Sequence, residues 1–374
     1  MTIKVFEAFS GVGSQRMALR NIGLRHKVVA ISEIDKYALK SYEAIHGDCP
    51  NIGDISKLNI VDIPDHDLFT YSFPCQDISV AGSQRGLDEG AETRSSLLWE
   101  CRRVIEGKSP KYLLMENVKN LIGKKHKHNF DKWLEYLESL GYTNYWEVLN
   151  AKDYGIPQNR ERVFVVSILG EHNEYTFPPK MILNKRVKDI LEIEVEDKYY
   201  LSEKIQERFK PNKSFYNMVG NIVGTTAPDF RTIGQRDVCY QENSIMGSLV
   251  ATDYKQPKQI LVKQATKKGY IEMDVPGVCD LSYPDSKTRR GRVQEGRNVS
   301  PTLTATQQDI CHVDAEYRVR KLTPKECWRL MGFSDEDFEK AATAGVSNAQ
   351  LYKQAGNSIV VPVLEGIFRQ MSME

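Results

Sequence analysis

"IKVFEAFSGVGSQRMALRNIG", residues 3–23, reads as a strand, a turn and a helix in succession. Its first seven residues carry Ile3, Val5, Phe6, Ala8 and Phe9, a short apolar run that fits a strand buried on both faces. Gly11 and Gly13 interrupt the run at two conformationally permissive positions, and "SQRMALRNIG" continues at helical spacing until Gly23 stops it. A strand that enters a helix through a glycine turn is the first unit of a wound α/β sheet.

The alternation continues outward from that stretch. "KVVAIS" (27–32) is a strand, and "DKYALKSYEAIHG" (35–47) a helix opened by Asp35 and closed by Gly47. "DLFTYSF" (67–73), "KYLLMEN" (111–117) and "RVFVVSIL" (162–169) are further short apolar runs, with the helical pattern "NFDKWLEYLESLG" (129–141) between the last two. Alternating strands and helices predict a parallel sheet covered on both faces, with ligands at the carboxyl ends of its strands.

From "YTFPPK" (175–180) the texture changes: proline interrupts, helical periods weaken, and Gly, Thr, Asn and Gln become frequent. A loop-rich domain of short strands is expected there. Within it, "SLVATDYKQPKQILV" (248–262) and "PTLTATQQDICHV" (301–313) share Leu-x-Ala-Thr, either a weak repeat or chance. Helix returns in "EYRVRKLTPKECWRLMGF" (316–333), with Thr323 as cap, Pro324 in the first turn and Glu326 at the capping-box position. "AGNSIVVPVLEGIFRQM" (355–371) reads as a strand-to-helix run that packs on the first sheet. The expected organisation is a discontinuous domain, 1–178 plus 353–374, interrupted by a smaller domain and hinge at 179–352.

Composition narrows the class. With 374 residues, 41% apolar and 27% charged, the chain is neither disordered nor membranous and is long enough for two cores. "MTIKVFEAFSG" lacks a signal core and no stretch reaches bilayer length, so a cytoplasmic location without membrane association is expected. The 7 cysteines include no C-x-x-C pair, which argues against a disulfide framework and a cysteine zinc site; no metal is expected, and a monomer is. The net charge is +1, but residues 204–300 carry 16 Lys+Arg against 10 Asp+Glu, a surplus suited either to a solvated surface or to phosphates.

Four features carry chemistry. The Gly11-x-Gly13 turn lets a ligand approach the backbone, but a dinucleotide fingerprint would need a third glycine where Arg16 stands. Glu33, 20 residues beyond Gly13 at a strand end, suits ribose hydroxyls, and Asp54 in "GDIS", after a further strand-like region, suits an adenine amino group. An adenosyl cofactor without a pyrophosphate fits, with S-adenosylmethionine the candidate; the alternative is a set of helix caps. In "SFPCQDISVAG" (72–82), Pro74 fixes the backbone ahead of Cys75, which is either a positioned thiol or a small buried hydrophobe. Glu116 in "LLMENV" ends a strand at the same edge, where a dry setting would raise its pKa, unless it is a turn residue. Arg160 and Arg162 in "QNRERVFVV" share a strand face and can hold a carbonyl oxygen, a carboxylate or a phosphate, or form an edge-strand ion pair.

The order "FSGVG", "PCQ", "ENV", "QNRERV", "AGNS" closely resembles the cytosine-C5 DNA methyltransferase family, bacterial or phage type, over essentially the whole chain apart from its middle section. "TRSSLLWECRRVI" and "RKLTPKECWRLMGF" are similar too, whereas Ser14 stands where many members have a second glycine. The resemblance implies an S-adenosylmethionine-dependent methyltransferase fold, α/β with a Rossmann-like sheet and a second, smaller β-rich domain. It implies methylation of carbon 5 of cytosine in double-stranded DNA, in a restriction-modification system or as an orphan or phage equivalent. Cys75 would add to carbon 6, Glu116 would hold or protonate ring N3, Arg162 would donate to the ring oxygen and Arg160 would support the pocket. Residues 79–96 would close over a flipped-out base. Phe9, Gly11, Val12, Gly13, Glu33, Ile34, Asp54, Ile55, Pro74, Leu98, Asn357 and Ser358 would contact the cofactor. In the middle section, Arg289 and Arg290 suit phosphates, and Gln307 and Gln308 suit base edges. Methylation of cytosine in transfer RNA, or a catalytically silent DNA-binding protein, remain the alternatives; a nicotinamide dehydrogenase is disfavoured by the missing glycine.

Overall fold

The computed structural model describes residues 1–74, 97–199 and 320–373, with the backbone of seven short strands between 210 and 313. Cys75, the segment 79–96, Arg289, Arg290, Gln307 and Gln308 lie outside the described residues. The chain divides into two compact units, one of residues 1–195, 243–258 and 322–374, the other of residues 196–242 and 259–321.

In the first unit, β1 (Ile3–Ala8), β2 (His26–Ser32), β3 (Leu68–Tyr71) and β4 (Tyr112–Val118) run parallel in the order β2-β1-β3-β4. All four residues of β3 are buried, and successive strand side chains alternate faces, so the sheet is covered on both sides as expected. On one side, α3 (Leu98–Lys108) and α4 (Lys127–Ser139) set Cys101, Val104, Phe130 and Trp133 into a cluster with Phe69, Tyr71 and Met115. Trp133 donates its indole N–H to the Tyr71 hydroxyl at 3.2 Å, giving a buried aromatic pair its polar partner.

The helix ends follow the sequence signals. Asp35 accepts from the Tyr37 and Ala38 amides to open α2 (Lys36–His46), and Gly47 closes it at φ 76°. Gly13, at φ 81°, precedes α1 (Ser14–Asn21), and a Cβ there would stand 2.4 Å from His46 Nε2. Thr323 and Glu326 form the expected reciprocal capping box at the start of α5 (Pro324–Arg329).

Three features differ from expectation. The sheet is mixed, because β7 (Glu161–Leu169) pairs antiparallel with β4 and with the edge strand β5 (Tyr142–Asn150). A 3-10 turn (Ala151–Tyr154) and the two-residue β6 (Gln158–Asn159) join β5 to β7 without an α-helix, and only a parallel return demands such a crossover. The extended run expected ahead of Asp54 is reduced to a single bridge between Ile31 and Asn51. The "AGNSIVV" stretch forms no strand: α6 (Asp335–Thr343) is followed by α7 (Asn348–Asn357) and, after a bend, α8 (Val361–Gln370). Its apolar residues Ile359, Val360 and Val361 are buried, and the Val361 amide donates to the Met331 carbonyl instead of a strand.

In the second unit, β8 (Lys210–Pro211), β9 (Ile222–Thr225), β10 (Val238–Gln241), β12 (Gln259–Leu261) and β15 (Arg320–Lys321) form a sheet in the order β15-β12-β10-β9-β8. The strand β11 (Met246–Gly247) belongs to the first unit, parallel to β6. A second pair joins β13 (Gly277–Asp280) to β14 (Ile310–Val313). The strands that follow the two Leu-x-Ala-Thr segments, β12 and β14, thus lie in different sheets. Among the described residues, no helix is long and apolar enough to cross a membrane.

One buried charge deserves a prediction. Glu7, on β1, is fully buried, accepts from the Tyr42 hydroxyl at 2.7 Å and leaves its Oε1 without a partner. Burial raises its pKa from an ordinary 4.5 to about 7, against the pull of Tyr42 and Arg16. Between those values the folded chain holds a proton that the unfolded chain has lost, so stability falls as pH rises through that window, by about 3 kcal/mol in all. Glu7→Gln should remove this slope, leaving the variant more stable than the wild type at pH 8 but not at pH 4; urea denaturation at the two pH values checks it.

Candidate active site

The chain leaves β1 for β2 on one side and reaches β3 on the other, so the carboxyl ends of β1, β2 and β3 surround the switch point where α/β sheets bind ligands. A cavity of about 280 Å³ opens there, close to the lower end of the usual range for small-molecule sites, roughly 300–1,000 Å³. Its wall takes Phe9, Gly11, Val12, Glu33, Ile34, Asp54, Ile55, Pro74, Glu116, Arg160, Arg162, Asn357 and Ser358 from the residues named by sequence.

On the β1–β2 side, the Glu33 carboxylate fixes two loops at once. Its Oε2 accepts from the Gly11 amide at 2.9 Å, and its Oε1 accepts from the Ile34 and Asp35 amides, each at 2.8 Å. A carboxylate has about four acceptor sites, so three amides leave room for a further donor. Phe9 bends the chain ahead of Gly11 at φ 54°, a left-handed conformation that costs a residue with a Cβ about 1–2 kcal/mol and that recurs at functional sites. Asp54 caps a 3-10 turn by accepting from the Ser56 amide and hydroxyl, and this hydroxyl, with Lys57, holds its pKa down despite some burial. Ile34 is 74% exposed, a large apolar side chain at the cavity wall beside Glu33.

On the β3–β4 side, Glu116 is 8% exposed and lies 3.2 Å from Arg162 Nε. Burial raises its pKa, and the two arginines and a hydrogen bond with Ser72 reduce the rise without cancelling it. Glu116 therefore holds its proton to higher pH than an exposed glutamate. Asn117 donates from Nδ2 to the Phe73 carbonyl at 2.9 Å and accepts from the Val118 amide, pinning the backbone immediately before Pro74 to the end of β4.

Arg160 and Arg162 both reach the cavity but do different work. Arg160 is buried and donates to the carbonyls of Gly356 at 3.0 Å and Ser358 at 2.8 Å, bracing the bend between α7 and α8. Gln158 makes a parallel tie to the Leu330 carbonyl at 2.7 Å. "QNRERV" thus supplies two braces and one guanidinium facing Glu116.

Two expected contacts stand behind the wall. Gly13 packs against Tyr42 and His46 at the start of α1, and Leu98 turns into the core one residue past Leu97, which lines the cavity in its place. Several residues escaped the sequence reading. Asn51 accepts from the Glu33 amide and donates to its carbonyl, aligning the turn that carries Glu33 with the one that leads to Asp54. Ser10 lines the cavity, is 3% exposed and has a hydroxyl without a hydrogen-bond partner among the described residues. Lys353 and Asp35 form an ion pair at 2.6 Å in the same wall. Among the described residues no cluster of His, Cys, Asp and Glu is placed to hold a metal.

A parallel-rich sheet with a crevice at its switch point is the fold of S-adenosylmethionine-dependent methyltransferases. The solved structure of the Entamoeba histolytica methyltransferase EhMeth matches with a TM-score of 0.67 at 17% identity, covering 99% of this chain and 98% of that one. S. pombe Dnmt2 matches with a TM-score of 0.63 at 20% identity, covering 98% and 97%. Within that class, residues 3–373 match the family model of the C-5 cytosine-specific DNA methylases, and the chain belongs to that family. It is 39% identical to the type II methyltransferase M2.ScrFI of Lactococcus lactis subsp. cremoris, over 99% of each chain. It is 34% identical to the orphan methyltransferase M.SPRI of Bacillus phage SPR, over 99% of this chain and 97% of that one.

Proposed function

We propose that this enzyme transfers a methyl group from S-adenosylmethionine to carbon 5 of a cytosine flipped out of duplex DNA, through a covalent Cys75 adduct. The observation that carries the reading is the Glu116–Arg162 pair in the same cavity as Glu33 and Asp54, with Pro74 in the wall next to Cys75 in sequence.

The pocket suits an adenosyl group with a charged tail. Glu33 retains acceptor capacity for ribose hydroxyls, Asp54 for an exocyclic amine, Ile34 and Ile55 offer apolar faces, and the buried Ser10 hydroxyl lacks a partner that a ligand would supply. When bound, the cofactor supplies an electrophilic methyl group on a sulfonium.

Carbon 5 of cytosine is too weak a nucleophile to take that methyl group unaided. Addition of the Cys75 thiolate at carbon 6 moves the carbon 5–carbon 6 electron pair onto carbon 5, and negative charge spreads to N3 and the ring oxygen. Glu116, whose burial lets it hold a proton to higher pH than an exposed glutamate, donates at N3, and Arg162 donates to the ring oxygen. Once carbon 5 is methylated, loss of its proton to a base and expulsion of the thiolate restore the ring and the enzyme. Arg160 keeps the Gly356–Ser358 bend in the cavity wall. The target must leave the stack to reach this edge, at a cost of a few kcal/mol, and residues 79–96 would close over it.

The second unit, which holds most of the basic surplus at 204–300, would read the DNA sequence, and the type II and orphan relatives point to a restriction-modification partner or a phage or orphan setting. Incubation with labelled S-adenosylmethionine and either duplex DNA or transfer RNA tests the reading. Label should enter the DNA as 5-methylcytosine; label confined to transfer RNA would overturn it.

A further inference from the structure

A sulfonium carries three arms: an adenosyl group, a methyl group and an amino-acid chain. The adenosyl arm is assigned above to Glu33 and Asp54, and the methyl group has to reach the cytosine that Glu116 and Arg162 would hold. The remaining wall is built by the start of α2 and by α7, and it holds the Lys353–Asp35 ion pair. We infer that Lys353 binds the α-carboxylate of the methyl donor's amino-acid arm, with Asp35 aiming its ammonium group.

Among the described residues, the cations of the cavity wall leave this role to Lys353. Arg160 is occupied with the Gly356 and Ser358 carbonyls, and Arg162 faces Glu116. Lys353 gives one hydrogen bond to Asp35 Oδ2 and has two further N–H groups, on a side chain that is 38% exposed. Asp35 is itself fixed, because its other oxygen caps α2. The neighbouring Gln354 donates to the Tyr37 carbonyl and accepts from the Ser41 hydroxyl, so α7 and α2 are tied together at this point and the ammonium has a defined anchor. A carboxylate entering an otherwise acidic wall of Glu33, Asp35 and Asp54 needs such a cation to avoid like-charge repulsion.

The inference rests on the S-adenosylmethionine reading, and calorimetry on the full chain separates the two. S-adenosylhomocysteine carries the amino-acid arm, and methylthioadenosine has the same nucleoside and thioether without it. Lys353→Gln, which keeps a donor toward Asp35 but loses the charge, should weaken S-adenosylhomocysteine by about 10- to 100-fold. The same variant should leave methylthioadenosine within about twofold, because that ligand has no carboxylate to lose. Lys353→Arg, which keeps the charge, should recover much of the loss and serves as a second variant with an intact ion pair. Equal weakening of both ligands would make Lys353 a brace of the α2–α7 contact, and unchanged S-adenosylhomocysteine affinity would place the carboxylate elsewhere; either result overturns the inference. A wild-type chain that binds neither ligand would overturn the cofactor reading, and this inference with it.

Discussion

Cys75→Ser should lower methyl transfer to below about 1% of the wild-type rate, because a hydroxyl near neutral pH offers almost none of the anionic nucleophile that a thiolate supplies. Binding of S-adenosylhomocysteine should be unchanged, since the cavity wall is built by other residues. Cys75 itself lies outside the described residues, but the backbone that leads to it is held: Asn117 grips the Phe73 carbonyl, and Pro74 has a restricted φ. Single-turnover kinetics with duplex DNA measure the loss, and a variant retaining a tenth of the rate would remove Cys75 from the nucleophile's role.

The second large effect concerns the Glu116 proton. Glu116→Gln should slow methyl transfer by about 10²- to 10⁴-fold, the usual worth of a placed general acid. The pH profile carries the sharper statement. In the proposed mechanism the active form of Glu116 is the acid, and burial lets it hold its proton to higher pH than an exposed glutamate, so the rate should fall as pH rises through that elevated value. In Glu116→Gln this alkaline limb should vanish. In Arg162→Met the limb should move to higher pH, because the cation that favours the carboxylate is gone, while the maximum rate drops with the lost donor to the ring oxygen. An alkaline limb that survives unchanged in Glu116→Gln would belong to another group.

Much of this was legible in the sequence where the signal is local. Asp35 and Gly47 delimit α2, Thr323 and Glu326 cap α5, and Glu33 and Glu116 end strands whose apolar runs stand out; each involves residues within one turn or one strand. The ties that shape the site were not legible, because one partner is a backbone carbonyl, which leaves no trace in the sequence. Asn117 reaches Phe73 across 44 residues, and Arg160 reaches Gly356 and Ser358 across 196 and 198. Arg160 and Arg162 look equivalent by strand alternation, yet the start of β7 separates a brace from a group facing Glu116. Leu98 lies in the core while Leu97 lines the cavity, a distinction the sequence does not carry because the helix phase at α3 turns on a single residue. The edge strand β5 escaped notice because its half-exposed residues carry no continuous apolar run.

The covalent adduct is the central claim, and a duplex with 5-fluorocytosine in place of the target cytosine tests it most directly. After methylation no proton remains on carbon 5 to be removed, so the thiol cannot be expelled and the enzyme should stay bonded to the DNA. Mass spectrometry of the digested complex should place the modified nucleotide on the peptide carrying Cys75, with no such complex from Cys75→Ser. An adduct mapped to another residue, or normal turnover of unmodified duplex with no trapped species on the fluorinated one, would contradict the account.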